Sequence, residues 1–175
     1  MIKRATFFLA FAVLAAGCGS GLPADVAALG YVNRPLRFAM NVPAGWTVRE
    51  SSGLADVFVL GPETAGAVRP NVTVLVEPGR TALTLEELVR HSRQQLGTLQ
   101  GFKLLGEGSR KLADGRMAWV MTFEQASLGE PLKARQLLVL ARERAYVVTA
   151  TASPITFAER EADVETVLES FRAGW

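Results

Sequence analysis

One histidine and one cysteine stand in the chain, His91 and Cys18. These are the side chains that most readily supply a nucleophile, a general base or a soft metal ligand near neutral pH. A Ser-His-Asp relay would have to use His91, yet no G-x-S-x-G elbow is present. His91 also falls about 120° around a helix from the centre of its apolar face, among Arg90, Arg93, Gln94 and Gln95, which fits an exposed position. Zinc and copper would find almost no ligands, and calcium no D-x-D-x-D-G loop. A glycosidase pair would have to come from 17 acidic residues with nothing singling out two of them. The run GEGSRK (106–111) has the glycines of a phosphate cradle but lies inside a strand pattern, with no helix opening after it. The sequence therefore points to no catalytic residue, no metal site and no cofactor. What remains is charge. Lys111, Arg116, Lys133, Arg135, Arg142 and Arg144 are spread over adjacent strands. Together they could face anionic lipid, peptidoglycan or a protein partner, although ordinary solvated strand edges have the same composition. The acidic run Glu159, Glu161, Asp163 and Glu165 reads as the solvated face of a helix.

Cys18 has a different context. The preceding residues, MIKRATFFLAFAVLAAG, have a basic start at Lys3 and Arg4, then an apolar stretch too short to span a bilayer comfortably. The ending AAGC resembles the lipobox of bacterial lipoproteins, with Leu14 one position earlier than the usual leucine. That resemblance implies cleavage before Cys18 and acylation of its thiol. Residues 1–17 would then be a lipoprotein signal peptide, 18–30 a lipidated tether and 31–175 a single domain. Two or three acyl chains hold a protein firmly where one does not. An ordinary signal peptide with an incidental cysteine is the alternative. Gly19 in place of aspartate favours, by the sorting habit of enteric bacteria, the outer membrane facing the periplasm. Losing Lys3 and Arg4 from the 19 basic side chains leaves 17, equal to the 17 acidic ones. The net charge of +2 thus disappears with the signal peptide, and no global electrostatic case for nucleic acid remains.

The elements that would position any site follow from periodicity. LRFAMNV (36–42) alternates, with Leu36, Phe38, Met40 and Val42 on one side, and predicts a half-buried strand. A turn at PAGW (43–46) leads to short strands at 47–50, 56–61 and 71–78. Thr84 and Glu87 form a T-x-x-E capping box ahead of a helix over 84–99, with Leu85, Leu88, Val89, Ser92, Leu96 and Leu99 on one side. Four strands follow in a meander, roughly 102–112, 116–127, 132–142 and 145–152, and Asp114-Gly115 marks a hairpin. A single helix then runs from Ser153-Pro154 to Gly174, with a second capping box at Thr156 and Glu159. Strand runs with segregated helices indicate an α+β class, here one antiparallel sheet with helices on its faces. Trp46 and Trp119 read as core, and Trp175 as a core plug or an exposed anchor.

The succession LRFAMNVPAGW, PNVTVLVEP, TLEELV, GRMAWVMTF, RQLLVLARERAYVVTATA and a helix ending VLESF resembles the PsbP-like superfamily, and within it the DcrB-type bacterial lipoprotein branch. Phe38, Met40, Pro43, Gly45 and Trp46 carry its most distinctive motif. The resemblance spans nearly all of 31–173. It implies a PsbP-like α/β/α sandwich, a central antiparallel sheet flanked by helices. It also implies a binding or scaffolding module of the cell envelope with a protein partner, not an enzyme. A chaperone-like binder of hydrophobic peptide and a hydrolase on the same fold are the alternatives.

Overall fold

The computed structural model describes residues 21–51, 53–64, 68–78 and 83–175. Cys18 and the lipobox lie outside them. Among the described residues the elements follow one another as α1 (Ala24–Ala27), β1 (Tyr31–Asn33), β2 (Phe38–Met40), β3 (Thr47–Glu50), β4 (Val57–Leu60), β5 (Asn71–Pro78), α2 (Leu85–Leu96), β6 (Lys103–Lys111), β7 (Met117–Ser127), β8 (Glu130–Ala141), β9 (Arg144–Ala152), α3 (Pro154–Glu159), α4 (Glu161–Ser170) and β10 (Arg172–Ala173). α1 places a helical turn, with Val26 buried, in the segment read as tether.

Seven strands make one antiparallel sheet in the order β3-β4-β5-β9-β8-β7-β6. Local chemistry builds most of it. Leu112 to Arg116 connect β6 to β7, with Gly115 at φ 83° in the left-handed region. The Gly115 amide donates to the Leu112 carbonyl, so Asp114-Gly115 forms a three-residue loop closed by glycine rather than the tightest two-residue turn. Two-residue turns join β7 to β8 at Leu128-Gly129 and β8 to β9 at Arg142-Glu143. β5 and β6 run in the same direction at distant places in the sheet, so the chain must cross a face between them, and α2 does so. The capping box forms as its spacing requires: Glu87 N donates to Thr84 Oγ1 at 3.2 Å and Thr84 N to Glu87 Oε2 at 2.9 Å. α2 stops at Leu96, and Leu99 lies beyond it, exposed.

Alternation along the strands divides the core in two. Toward α2 point Met121, Phe123, Ala134, Leu138 and Ala145, which meet Leu88, Val89 and Leu96. Toward α3 and α4 point Leu137, Val139, Tyr146 and Val148, with Phe157, Val164, Val167 and Leu168 above them. This is the expected sandwich, with helices on both faces of an antiparallel sheet.

Two expectations are corrected. The last helix is two helices, because Arg160 takes φ −108° and ψ 13° between α3 and α4. Thr156 therefore sits within the first turn of α3, where its N–H donates to Ser153 Oγ at 3.3 Å, and does not cap a second helix. Beyond Phe171 the chain turns to strand, so Gly174 ends β10. The second correction concerns residues 36–42. Only Phe38–Met40 is strand, buried at all three positions, in a separate sheet ordered β1-β2-β10. Central in that sheet, β2 is hydrogen-bonded on both edges, and Ala39 is as buried as its neighbours.

Tyr31 Oη ties the small sheet to β3 by donating to Glu50 Oε1 at 2.7 Å. Burial first, and that hydrogen bond second, push its pKa from 10.0 up to about 12. A raised phenol pKa gives stability that is complete below the ordinary value and lost as pH rises through the folded one. Denaturant melts should therefore show a stability loss between pH 10 and pH 12 that Tyr31→Phe reduces.

Candidate functional site

The six basic residues expected to form a strip lie in three places. Lys133 and Arg135 project from β8 toward α3 and α4. Arg135 donates to Glu161 Oε1 at 2.7 Å and to Glu165 Oε1, and Arg110 NH1 donates to Glu165 Oε2 at 2.7 Å. Lys133 Nζ and the Arg135 guanidinium sit 5.1 and 5.6 Å from the centre of the Phe157 ring. Burial works against the charge on Arg135, but the hydrogen bonds it donates to Glu161 and Glu165 outweigh that and hold its pKa above the ordinary value. Glu161 is correspondingly held below the usual carboxylate range by Arg135. Thus part of the basic set and part of the acidic run pair with each other across the helix–sheet interface. Glu165 points to the sheet and not to solvent. Lys111, at the end of β6, is exposed. Arg116, Arg142 and Arg144 lie at the opposite end of the sheet from Lys133.

Among the described residues β6 ends the seven-stranded sheet and is its long free edge. It is exposed along most of its length, with a bulge between Leu104 and Gly106. On the α2 side of this edge a groove of about 840 Å³ opens between helix and sheet. Leu85 and Val89 form its helix wall, and Met117, Trp119 and Ser109 its floor. Met117 is 49% exposed although it continues the apolar face of β7. Trp119 is half-buried, not a core residue. Its Nε1 donates to Glu107 Oε2 at 3.0 Å, and Arg93 lies 5.9 Å from the ring centre while donating to both oxygens of Glu107. The indole is thus fixed edge and face, leaving a preset apolar surface beside the free strand. Trp46 is buried, and Trp175 packs partly buried against the larger core.

A smaller pocket of about 220 Å³ lies between α2 and strands β5, β8 and β9. Its floor is a buried chain in which Ser92 Oγ donates to Gln136 Oε1 at 2.6 Å and Gln136 Nε2 to Thr149 Oγ1 at 3.1 Å. His91 is exposed at the rim, 3.1 Å from Gln95 Nε2. Among the described residues no group of three or more His, Cys, Asp or Glu side chains is placed to hold a metal ion.

No protein-family model and no curated protein matches the chain. Solved structures do match in three dimensions. The cyanobacterial PsbP protein of Synechocystis, CyanoP, superposes with a TM-score of 0.64 over 82% of this chain and 90% of its own, at 13% identity. The fold is PsbP-like. LpqN, described as involved in cell envelope biogenesis of Mycobacterium tuberculosis, gives a TM-score of 0.60 at 13% identity, over 79% of this chain and 83% of its own. A Pseudomonas aeruginosa protein of unknown function, PA94, gives 0.54 at 15% identity, over 70% and 92%. At these identities the likeness is one of fold. Among the described residues of this PsbP-like chain no helix is long and apolar enough to cross a membrane.

Proposed function

We propose that the chain is a non-enzymatic binding module of the bacterial cell envelope, anchored by lipid on Cys18 at the outer membrane and holding an extended segment of a protein partner. The observation that carries the binding role is the apolar groove of Leu85, Val89, Met117 and Trp119 alongside the free edge of β6. An added strand would take main-chain hydrogen bonds from β6 and lay alternate side chains in the groove, the mode known as β-augmentation. Self-pairing is disfavoured in the register centred on Glu107. A two-fold arrangement about Glu107 would set Glu107 against its own copy and Lys103 against Lys111. Like charges directly opposite one another destabilise a strand pair. The lipobox supports the anchoring, and the envelope role of LpqN, a protein of the same fold, is compatible with it.

The test is site-specific photo-crosslinking in intact cells from position 117, on the wild-type chain and on Cys18→Ser. A discrete adduct from Met117 is expected, with none from Ile155, which is more open to solvent but lies on α3. Leu85→Lys should weaken the adduct, and Leu85→Glu, which suits the first turn of α2 electrostatically, should weaken it as much. Cys18→Ser should release the protein from the membrane fraction. Adducts of equal strength from both positions would refute the groove. Cys18→Ser protein that stays in the membrane fraction would refute the anchor.

A further inference from the structure

The turn between β8 and β9, the residue before β2 and the end of β10 enclose a second concavity of about 560 Å³. Three arginines line it. Arg37 NH1 donates to the Trp175 main-chain oxygen at 3.3 Å, Arg142 Nε to the Gly174 carbonyl at 2.7 Å and Arg144 NH1 to the Pro35 carbonyl at 3.0 Å. Each guanidinium carries five N–H donors in a fixed fork, so one bond to a carbonyl orients it and leaves the rest free. Arg37 and Arg142 both have φ 55°, in the left-handed region that side chains rarely adopt, and Gly174 follows at φ 69°. The local packing holds this backbone: a Cβ on Gly174 would come within 2.7 Å of the Ala141 Cβ, and Gly174 N donates to the Arg37 carbonyl at 2.8 Å. Tyr146 Oη, donating to the carbonyls of Leu36 and Arg37, closes the base. Glu143 is the one acidic residue of the lining. Nearby, Arg116 is paired with Asp114 at 3.5 Å. Against the three guanidinium charges stand Glu143 and the main-chain carboxylate of Trp175, the last residue of the sequence, so the concavity keeps an excess of one positive charge.

We infer that this concavity binds a phosphoryl group, because three oriented guanidinium forks line one space that only one acidic side chain, Glu143, contests. Arginine forks match the oxygen spacing of phosphate and bind it in bidentate fashion. The site is also near where the chain enters the domain. Asp25 Oδ2 lies 3.7 Å from Arg172 Nε, and Arg172 precedes Gly174 by two residues, roughly 7 Å of strand. If Cys18 is lipidated, the seven residues from it to Asp25 span at most about 25 Å. A phospholipid headgroup is then within reach, as is free phosphate.

The test uses the full chain with Cys18→Ser, which has no attached lipid. Inorganic phosphate is titrated into it by calorimetry, at fixed ionic strength. One phosphate per chain is expected, weakened at least tenfold, roughly the loss of one charge-assisted fork, by Arg144→Gln. Glu143→Gln should tighten it, and because that variant gains binding, a folding defect cannot imitate the result. The same protein is then floated with phosphatidylcholine vesicles, with and without phosphatidylglycerol. Retention that needs phosphatidylglycerol and Arg144 assigns the site to a headgroup. Phosphate binding without retention assigns it to the free anion. No phosphate binding at millimolar concentration, or binding unchanged in both variants, overturns the proposal. Neither arm involves the β6 groove or the lipid anchor, so either reading can fail without the other.

Discussion

Phe38→Ala is expected to destabilise the protein by about 4 kcal/mol, the middle of the range for large aromatic truncations. Phe38 is fully buried on the central strand of the small sheet. Its ring stacks on Phe171 at 5.7 Å between centres, meets Tyr146 edge-on at 6.3 Å and lies 6.0 Å from Tyr31. These partners come from β1, from β9 of the large sheet and from the residue just after α4. One ring thus joins both sheets and the end of the helical layer. None of the neighbours can close the gap alone, because each is fixed by a different element, so most of the cavity should persist. Chemical denaturation of the two proteins, read by tryptophan fluorescence, checks this. A loss below about 1.5 kcal/mol would mean that the site collapses, as in well-relaxed truncations.

Arg135→Ala should be the next most damaging change, at about 2 kcal/mol. The side chain is 15% exposed and its partner Glu165 21%, so the pair is largely but not wholly removed from water. A fully buried pair broken on one side costs more, and a surface pair less than about 1 kcal/mol. The substitution also removes the aliphatic stem and the cation from the Phe157 ring. Arg110 still holds Glu165 after the change, which limits the loss. A double-mutant cycle with Glu165→Gln separates the terms: the coupling should be about 1 kcal/mol or more, and the remainder is packing. Additive single changes would show that the network contributes nothing beyond burial of the stem.

The meander β6 to β9 could be read from the sequence because its signals are local. Asp114-Gly115 and alternating apolar residues specify hairpins without reference to the rest of the chain. The α2 start was legible for the same reason, since Thr84 and Glu87 satisfy each other. The small sheet was not. Its strands are three residues or fewer, and β2 is paired by residues at the far end of the chain, Arg172 and Ala173. Alternation around Phe38 suggested a half-buried strand because pairing on both edges leaves no trace in periodicity.

The candidate surfaces divide in the same way. Residue type marked Arg116, Arg142 and Arg144 as part of a possible basic binding strip, and topology gathers two of them with Arg37. Glu161 and Glu165 looked solvated because helical spacing describes one helix and not the sheet beneath it. The groove by β6 rests on Met117 and Trp119, whose apolar character pointed to the core. They are left half-open because α2 packs across β7 and β8 and stops short of the edge.

The placement of β5 has a consequence for the order in which the chain can fold. Val72 pairs with Ala150 and Val74 with Val148, yet α2 and three strands are made between them. A chain that emerges from the export machinery amino terminus first presents β5 well before β9, and β5 waits for that neighbour. During that interval β3, β4 and β5 would leave the apolar patch of Val57, Val59, Val72 and Val74 and both strand edges uncovered. The later meander can assemble by nearest-neighbour hairpins, each closing a short loop. Its docking through β9 is the long-range event, and the slow one. The first half of the domain is therefore the part that has to be kept from aggregating, and the hazard lasts until Ala152 has emerged.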